Sequence, residues 1–295
     1  MAVAHDCIGC REIVVEHDGH FSLRFGPRFQ GPPGNANGGV VAGVLTCVAR
    51  RVATIPDPAV RRLTARLHKG IPQGRDLAVT VAVRADGVVD LTVSDGDELL
   101  VTGAVELVPT AALRDGLPSE LWGPDRIEPI VGLAEPDAAQ RSFAGTHPWR
   151  RPGPDSPFAH CFVCGAQNDD GLRVGAEPVA SGLAWAANPH ASSFAEADGR
   201  LDTVVAVASL DCPSTPSFYG LPVLAEDEAV LLGTYDVEFC RVPPASPAGG
   251  WRLPSRFLRR DGRRIFADIG LVDATGVLYA LATATWITVP TPAAA

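Results

Sequence analysis

The sequence lacks the features that would direct a chain into or across a membrane. Its N-terminus has no basic stretch followed by an apolar one, and no run approaches the roughly 18 consecutive apolar residues that a membrane-spanning helix needs. The net charge is −9 and lysine and arginine form no cluster, which argues against a nucleic-acid-binding face or a polybasic membrane patch. We therefore expect a cytoplasmic protein with small-molecule or protein partners, without a nucleic-acid partner or a membrane span.

The sequence also lacks the motifs of several common catalytic folds. No glycine-rich loop ends in Gly-Lys-Ser/Thr, no Gly-x-Gly-x-x-Gly lies between a strand and a helix, and no Gly-x-Ser-x-Gly nucleophile elbow occurs. Chemistry that depends on a phosphate-binding loop, a dinucleotide or a serine nucleophile elbow is therefore not predicted. We expect no cofactor.

Seven cysteines, an odd number, argue against a disulfide framework of the secreted type. Four of them form two Cys-x-x-Cys pairs, Cys7 with Cys10 and Cys161 with Cys164. Two thiolates at this spacing can share a tetrahedral zinc ion. The simplest interpretation is nevertheless that they are small buried hydrophobic residues, with zinc binding by these four and redox chemistry as the alternatives. The other three lie in apolar stretches and are interpreted as core residues: Cys47, Cys212 and Cys240.

The order of predicted elements suggests that one structural plan occurs twice. The chain has 295 residues and a hydrophobic fraction of 46%, enough for about two domains with real cores. The first half contains an alternating segment at 12–23 that predicts a strand or a hairpin around Asp18-Gly19. A loop rich in Gly, Pro and Asn follows, and then an apolar stretch at 40–52 that predicts a buried helix. Alternating segments separated by turn signals then predict four antiparallel strands, at 61–71, 77–85, 88–94 and 99–108.

The second half repeats that order. Strand material at 172–187 and a polar loop precede an apolar stretch at 201–210, which predicts a second central helix. Four more alternating segments follow, at 230–242, 251–259, 265–272 and 277–289. The region between the copies is rich in Pro, Gly and charge, as is typical of a linker. This internal repeat predicts an α+β fold with a first domain at 1–109, a linker with room for one short helix at 110–157, and a second domain at 158–295.

Two segments carry a resemblance to a known family. Residues 161–172, Cys-Phe-Val-Cys-Gly-Ala-Gln-Asn-Asp-Asp-Gly-Leu, resemble the Cys-Phe-x-Cys-Gly…Asn-x-x-Gly-Leu opening of many hotdog-fold proteins of the acyl-CoA thioesterase type. Residues 37–45, Asn-Gly-Gly-Val-Val-Ala-Gly-Val-Leu, are similar to the His-Gly-Gly helix entry of that family. The resemblance implies a tandem (double) hotdog in which each half is an antiparallel sheet wrapped round an apolar helix, and the halves form a pseudo-dimer that can assemble further into a homo-oligomer.

The resemblance also implies a site at the start of the first helix. The backbone N–H groups of Gly38 and Gly39 would stabilise the oxyanion of a thioester, helped by the helix dipole. Asn37 stands where relatives carry His; it can hydrogen-bond a carbonyl but cannot shuttle a proton near neutral pH. Asn37 and Asn35 would position the carbonyl. The alternative is that this segment is simply a tight turn with an asparagine cap.

The carboxylate of such a site is expected from the other half. Many relatives show Asp or Glu seven residues past the glycine pair, where this chain has Thr46. By the same spacing in the second half, Asp202 occupies the position equivalent to Asn37, and Asp211 occupies the acid position. Asp211, enclosed by apolar residues, would act across the interface as a general base or a nucleophile. The reciprocal pairing of Thr46 with Asp202, the remaining candidates for substrate contact, would be inert or weakened.

The resemblance, with these residues at its positions, implies a hydrolase of acyl-CoA or a related acyl thioester with one composite site. A non-catalytic acyl-thioester or lipid-binding protein is the main alternative, since the departures at Asn37 and Thr46, and at Thr203, which stands at the first glycine position of the second helix, would suit a degenerate site. A structural protein held together by zinc is a third alternative. Dehydratase or hydratase chemistry is disfavoured, because His68 falls on a predicted strand and His190 in a loop, without the acid partner that such enzymes need.

Overall fold

The computed structural model describes residues 7–113, 122, 124–133, 155–188, 191–219, 221–225 and 227–290. In the first half a short helix leads into a hairpin whose turn places Asp18 and Gly19 at positive φ, as a tight two-residue turn requires. A long helix and four strands follow. The elements are α1 (Ile8–Glu12), β1 (Val14–His17), β2 (His20–Leu23), α2 (Gly38–Val52), β3 (Pro58–Leu67), β4 (Leu77–Val83), β5 (Val88–Asp95) and β6 (Glu98–Pro109).

The first central helix, α2, is buried on almost every side. All of its residues from Gly39 to Arg50 are buried, which explains why its sequence lacks a polar face. It begins at Gly38, two residues before the expected start, because Asn37 caps it. Arg50 and Arg51 lie in its last turn, where a positive charge complements the helix dipole.

The second half has a similar order of elements, with a central helix of seven residues where the first half has fifteen. A hairpin precedes a seven-residue helix, a 3-10 segment at Cys212–Ser217 and the remaining strands. The predicted strand at 251–259 is divided in two at Leu253 and Pro254. The elements are β7 (Gly175–Ala180), β8 (Leu183–Asn188), α4 (Thr203–Ser209), β9 (Glu228–Phe239), β10 (Trp251–Arg252), β11 (Ser255–Asp261), β12 (Arg264–Asp273) and β13 (Leu278–Pro290).

Between the halves, one α-helix lies in the described part of the predicted linker. Helix α3 (Pro124–Val131) packs Ile127 and Ile130 into a small cluster with residues of the second half, and Arg126 forms an ion pair with the buried Asp268. The rest of the linker, apart from Trp122, the flanking residues 110–113 and 132–133, and its last residues 155–157, lies outside the described residues, as does His190.

All named strands join one antiparallel sheet of 13 strands. The strands of the first half run in the order β1-β2-β4-β5-β6-β3, and β3 then pairs with β9 of the second half, which continues through β13 and β12. The pairing of β3 with β9 sets Arg62 opposite Glu238 and Ala65 opposite Tyr235. An ion pair between Arg62 and Asp236 at 2.6 Å adds to this contact. The two halves therefore share a continuous sheet.

The two central helices, α2 and α4, lie in the main hydrophobic core and pack against each other. Gly43 of α2 lies so close to α4 that an added Cβ would be 2.9 Å from the Val204 Cα, and Gly39 lies equally close to Ala208. The start of one helix thus meets the end of the other, so the helices are antiparallel. Among the described residues, no helix is long and apolar enough to cross a membrane.

Candidate functional site

The N-terminus of α2 is fixed by a side-chain cap. Asn37 has an extended backbone, and its Oδ1 accepts a hydrogen bond from the Val40 N–H at 3.0 Å. The first N–H groups of a helix have no partner within the helix. Val40 is satisfied by this cap and Val41 by the Asn37 carbonyl, so the groups left to bind an acceptor are those of Gly38 and Gly39.

Asp211 supplies an acceptor at this helix end. It follows α4, and because the two helices are antiparallel the end of α4 lies beside the start of α2. Its Oδ2 accepts hydrogen bonds from the Gly39 N–H at 2.8 Å and from Asn37 Nδ2 at 3.0 Å. The structure therefore brings together three residues that the sequence indicated for one site, Asp211 from the second half and Asn37 and Gly39 from the first.

The surroundings of Asp211 perturb its carboxyl group. The residue is 1% exposed, and this burial raises its pKa to about 7, against the opposing effect of the Gly39 and Asn37 hydrogen bonds. Its Oδ1 is buried and has no hydrogen-bond partner within the described residues. A buried polar atom without a partner is uncommon in folded proteins, which singles out the Asp211 carboxyl group.

Gly39 is required by this close approach. A Cβ at this position would lie 2.7 Å from the Asp211 Cβ and 2.9 Å from the Ala208 Cα. Neither neighbour is the flexible end of a side chain. Glycine therefore allows the carboxylate and the helix N-terminus to meet, which is a steric role additional to donating the N–H.

A pocket with a volume of about 320 Å³ opens at the same place, in the range of small-molecule sites. Asn37, Gly38, Cys161, Asp211 and Cys212 lie on its wall. Both halves contribute apolar side chains to the remainder, which include Leu67, Ile71, Val230, Leu231, Leu232, Trp286, Ile287 and Val289. The carboxylate and the helix N-terminus therefore face a largely apolar cavity between the halves.

Three basic or titratable side chains also line this pocket: His68, Lys69 and Arg263. Lys69 is the only lysine of the chain; its side chain is 59% exposed and contacts Glu98. Arg263 donates hydrogen bonds to the Thr288 carbonyl. Nothing in the local sequence marked Lys69 or Arg263, because their place at the pocket depends on the pairing of distant strands.

The other predicted site residues are distributed unequally. Asn35 lines the pocket, and its Nδ2 donates to the Pro33 carbonyl. Thr46 is fully buried inside α2, where its hydroxyl donates to the Gly43 carbonyl. Asp202 caps α4 through the Val204 and Val205 N–H groups and also accepts the Ile8 N–H. Neither Thr46 nor Asp202 reaches the pocket, so the structure assigns both to helix geometry.

The cysteine pairs have partners that the sequence did not indicate. The sulfur atoms of Cys7, Cys10 and Cys47 lie within 4.8 Å of one another. The sulfur atoms of Cys161, Cys164 and Cys212 form an equivalent group. Interpreting Cys47 and Cys212 as ordinary core residues was therefore incomplete, because each completes a cluster with one Cys-x-x-Cys pair; the two pairs lie in separate clusters. Cys240 stands apart, with its thiol against the Leu278 carbonyl.

Comparison with solved structures identifies the architecture. An acyl-CoA thioesterase II from Mycobacterium marinum superposes with a TM-score of 0.59 and 15% identity over 95% of this chain and 96% of that one. A tesB protein from Mycobacterium avium subs paratuberculosis gives a TM-score of 0.59 and 12% identity over 95% and 96%. A protein of unknown function with a hot dog fold from Alicyclobacillus acidocaldarius gives 0.56 and 14% over 95% and 96%.

The chain has a hotdog fold. The likeness covers nearly the whole of each chain, which confirms the hotdog fold that the two sequence segments implied. No protein-family model matches the sequence, and no curated protein matches it significantly. The hotdog architecture accounts for the buried α2, since a sheet that wraps round a helix leaves it no solvent-facing side.

Proposed function

We propose that the protein is a tandem hotdog hydrolase of acyl thioesters, with one composite site between two domains at 1–109 and 158–295. The solved structures with the same fold include an acyl-CoA thioesterase II and a tesB protein. The pairing of β3 with β9 and the antiparallel contact of α2 with α4 support a pseudo-dimer, because each half offers one central helix and the strands around it.

The observation that carries the proposal is the position of Asp211. Its carboxylate lies at the N-terminus of the opposite half's helix, held by the Gly39 N–H and by Asn37, and faces an apolar pocket. Burying a carboxylate is costly unless it is paired. Two hydrogen bonds to one oxygen, with the second oxygen unpaired, suit a group that acts on a bound molecule rather than one that only joins two helices.

The proposed reaction uses the two helix ends for different tasks. The thioester carbonyl oxygen accepts a hydrogen bond from the Gly38 N–H, where the α2 dipole stabilises developing negative charge. Asp211 takes a proton from a water molecule, and the water oxygen attacks the carbonyl carbon. The tetrahedral intermediate then collapses, the carbon–sulfur bond breaks, and the leaving thiolate takes up the proton from Asp211, which restores the carboxylate. The products are a carboxylic acid and a free thiol.

The pocket indicates how an acyl-CoA would lie. Its apolar wall suits an acyl chain. Lys69 and Arg263, at the same pocket, are suited to the phosphate groups of the carrier, since cationic side chains bind phosphate oxygens strongly. With this assignment acyl-CoA is the proposed substrate, and the apolar wall of the pocket determines which acyl chain lengths fit.

A non-catalytic acyl-thioester-binding protein is the second candidate. The Gly39 N–H, one of the two donors expected for the oxyanion, already binds Asp211. If that bond persists with ligand present, only the Gly38 N–H remains for the carbonyl, and binding without turnover would result.

Hydrolysis of a panel of acyl-CoA thioesters of different chain lengths, followed by thiol release, tests the proposal. We expect turnover by the wild-type chain that is lost in Asp211→Asn. Saturable binding of the same thioesters without thiol release would favour the second candidate, and activity that survives in Asp211→Asn would overturn the composite site.

A further inference from the structure

Six of the seven cysteines are gathered into two groups of three. The first, Cys7, Cys10 and Cys47, is here named the first thiol cluster. The second thiol cluster is the equivalent set in the other half: Cys161, Cys164 and Cys212. In each cluster two cysteines come from a Cys-x-x-Cys segment ahead of the hairpin. The third comes from the second half of the central helix (Cys47 in α2) or from just beyond it (Cys212 after α4). Such convergence of residues from distant segments is not expected of cysteines that merely fill a core.

The two clusters are related by the internal repeat. Cys47 is the tenth residue after Asn37, the cap of α2, and Cys212 is the tenth after Asp202, the cap of α4. The repeat therefore preserves three thiols with the same connectivity in halves whose other site residues differ. An arrangement that exists twice at equivalent positions is a second indication that the three thiols act together.

We propose that each thiol cluster binds one Zn²⁺ ion through its three cysteine sulfurs. Thiolates are the ligands that soft and borderline ions such as Zn²⁺ prefer. On a tetrahedral zinc, with zinc–sulfur bonds of about 2.3 Å, the sulfurs lie about 3.8 Å apart. The observed separations are 2.9 Å between Cys7 and Cys47 and 3.6 Å between Cys161 and Cys212. Shifts of about 1 Å or less would bring these pairs to the required spacing.

The groups around the sulfur atoms would stabilise them as thiolates, the form in which cysteine binds a metal ion. In the first thiol cluster, the Cys10 N–H donates to the Cys7 sulfur at 3.3 Å. Arg51 donates to the Cys10 carbonyl and places a positive charge beside the cluster. In the second, Asn37 Nδ2 lies 3.7 Å from the Cys161 sulfur and 3.6 Å from that of Cys212. Hydrogen bonds to ligand atoms of this kind are a regular feature of metal sites.

Binding would proceed with a defined balance of charge. Three thiols release three protons as they bind Zn²⁺, so each loaded cluster carries one net negative charge. Three ligand atoms come from each cluster, and a water molecule would complete the four-coordinate ion. Each ion would then fasten the start of one half to its central helix. The proposal assigns the ions no step in hydrolysis.

Metal content is the direct test. The full chain is expressed with zinc in the medium, purified without chelator, and analysed for zinc, iron and copper by mass spectrometry. We expect two equivalents of zinc in the wild type, one in Cys47→Ser, one in Cys212→Ser and none in the double variant. Cys240→Ser is the matched control and should retain two.

A measurement on the wild type guards against variants that fail to fold. Stepwise capping of thiols with an organomercurial, in the presence of a chromogenic zinc chelator, should release two equivalents of zinc as the six clustered thiols react. A wild-type chain without stoichiometric zinc would overturn the proposal, as would a disulfide in either cluster or stoichiometric iron or copper. Because no substrate is involved, these results are independent of the proposed hydrolysis.

Discussion

The Asp211 carboxylate accepts a hydrogen bond of 2.8 Å from the Gly39 N–H, although the two residues are 172 positions apart in the chain. The contact exists because α2 and α4 are antiparallel, so that Asp211, two residues beyond the end of α4, meets the first turn of α2. The geometry suggests a shared site that neither half could assemble alone, and it determines which variants are informative.

Replacing Asp211 by asparagine should separate activity from stability. The variant keeps an acceptor for the Gly39 N–H but cannot take a proton, so kcat on acyl-CoA should fall by roughly 10²- to 10⁴-fold. Stability in urea should be unchanged or higher, since a neutral amide costs less to bury than a carboxylate. Asp90→Asn, at an exposed carboxylate paired with Arg84, is the control and should change neither. A loss of stability in parallel with activity would instead indicate a structural role for Asp211.

Gly39→Ala should disturb the contact between the helices. The new methyl group would lie within 3 Å of Asp211 Cβ and the Ala208 Cα, and overpacking of this kind typically costs about 1–3 kcal/mol. We expect a lower unfolding midpoint and a loss of activity. Gly26→Ala is the matched control, because Gly26 has a φ of −75° and no atom within 4 Å of an added Cβ. Equal stability of the two variants would contradict the close approach.

Two substitutions at Asn37 should divide its roles. Asn37→Ser retains an oxygen that can cap α2 but removes the Nδ2 donor to Asp211. Its kcat should fall by about tenfold or more, and its stability should fall by about 1.5–3 kcal/mol, because a buried hydrogen bond to a charged group is lost. Asn37→Ala removes the cap as well and should cost about 1 kcal/mol of stability besides. Full activity in Asn37→Ser would exclude a positioning role for the amide.

Lys69→Ala tests the proposed carrier contact. KM for an acyl-CoA should rise several-fold in the variant. Added salt should raise the KM of the wild type towards that of the variant, because the Lys69 side chain is largely exposed and its charge is screened. KM for the same acyl group on a short thiol without phosphates should stay unchanged. Lys69→Arg should resemble the wild type. An equal effect on both substrates would show that Lys69 acts on the acyl part instead.

Glu196→Gln should strongly destabilise the fold. Glu196 and Arg50 form an ion pair at 3.0 Å in which both side chains are 7% exposed, and it joins α2 to the loop before α4. Removing one partner of a buried pair leaves the other charge unpaired and typically costs about 3–5 kcal/mol. Asp76→Asn, which breaks the exposed pair with Arg24, should cost less than about 1 kcal/mol. Chemical denaturation of both variants provides the comparison.

A strand with one buried face alternates apolar and polar residues, and this period of two residues is what indicates a strand in the sequence. That rule predicted β4, β5 and β6 within a few residues. It missed the division into β10 and β11, since the break at Pro254 depends on a proline within an otherwise regular run. The start of α2 was placed late because glycine is a poor helix former, and the Asn37 cap outweighed that preference.

The candidate site was predictable only where the repeat supplied the spacing. The interval between Asn37 and Thr46, transferred to Asp202, indicates Asp211 from the sequence alone. The same interval could not show that Thr46 and Asp202 lie away from the pocket. Both were predicted as substrate contacts on the assumption that the repeat forms a second, symmetry-related site. Cys47 and Cys212 were missed because an apolar run looks alike whether its cysteine packs alone or meets two others from a distant segment.

The pairing of β3 with β9 has a consequence for any attempt to divide the protein. Each half expressed separately would present a long strand edge of β3 or β9 with unsatisfied backbone groups, next to an uncovered apolar helix. Such edges promote aggregation. Coexpressed halves, cut within the linker, should recover one soluble heterodimer, whereas either half alone should be found in inclusion bodies.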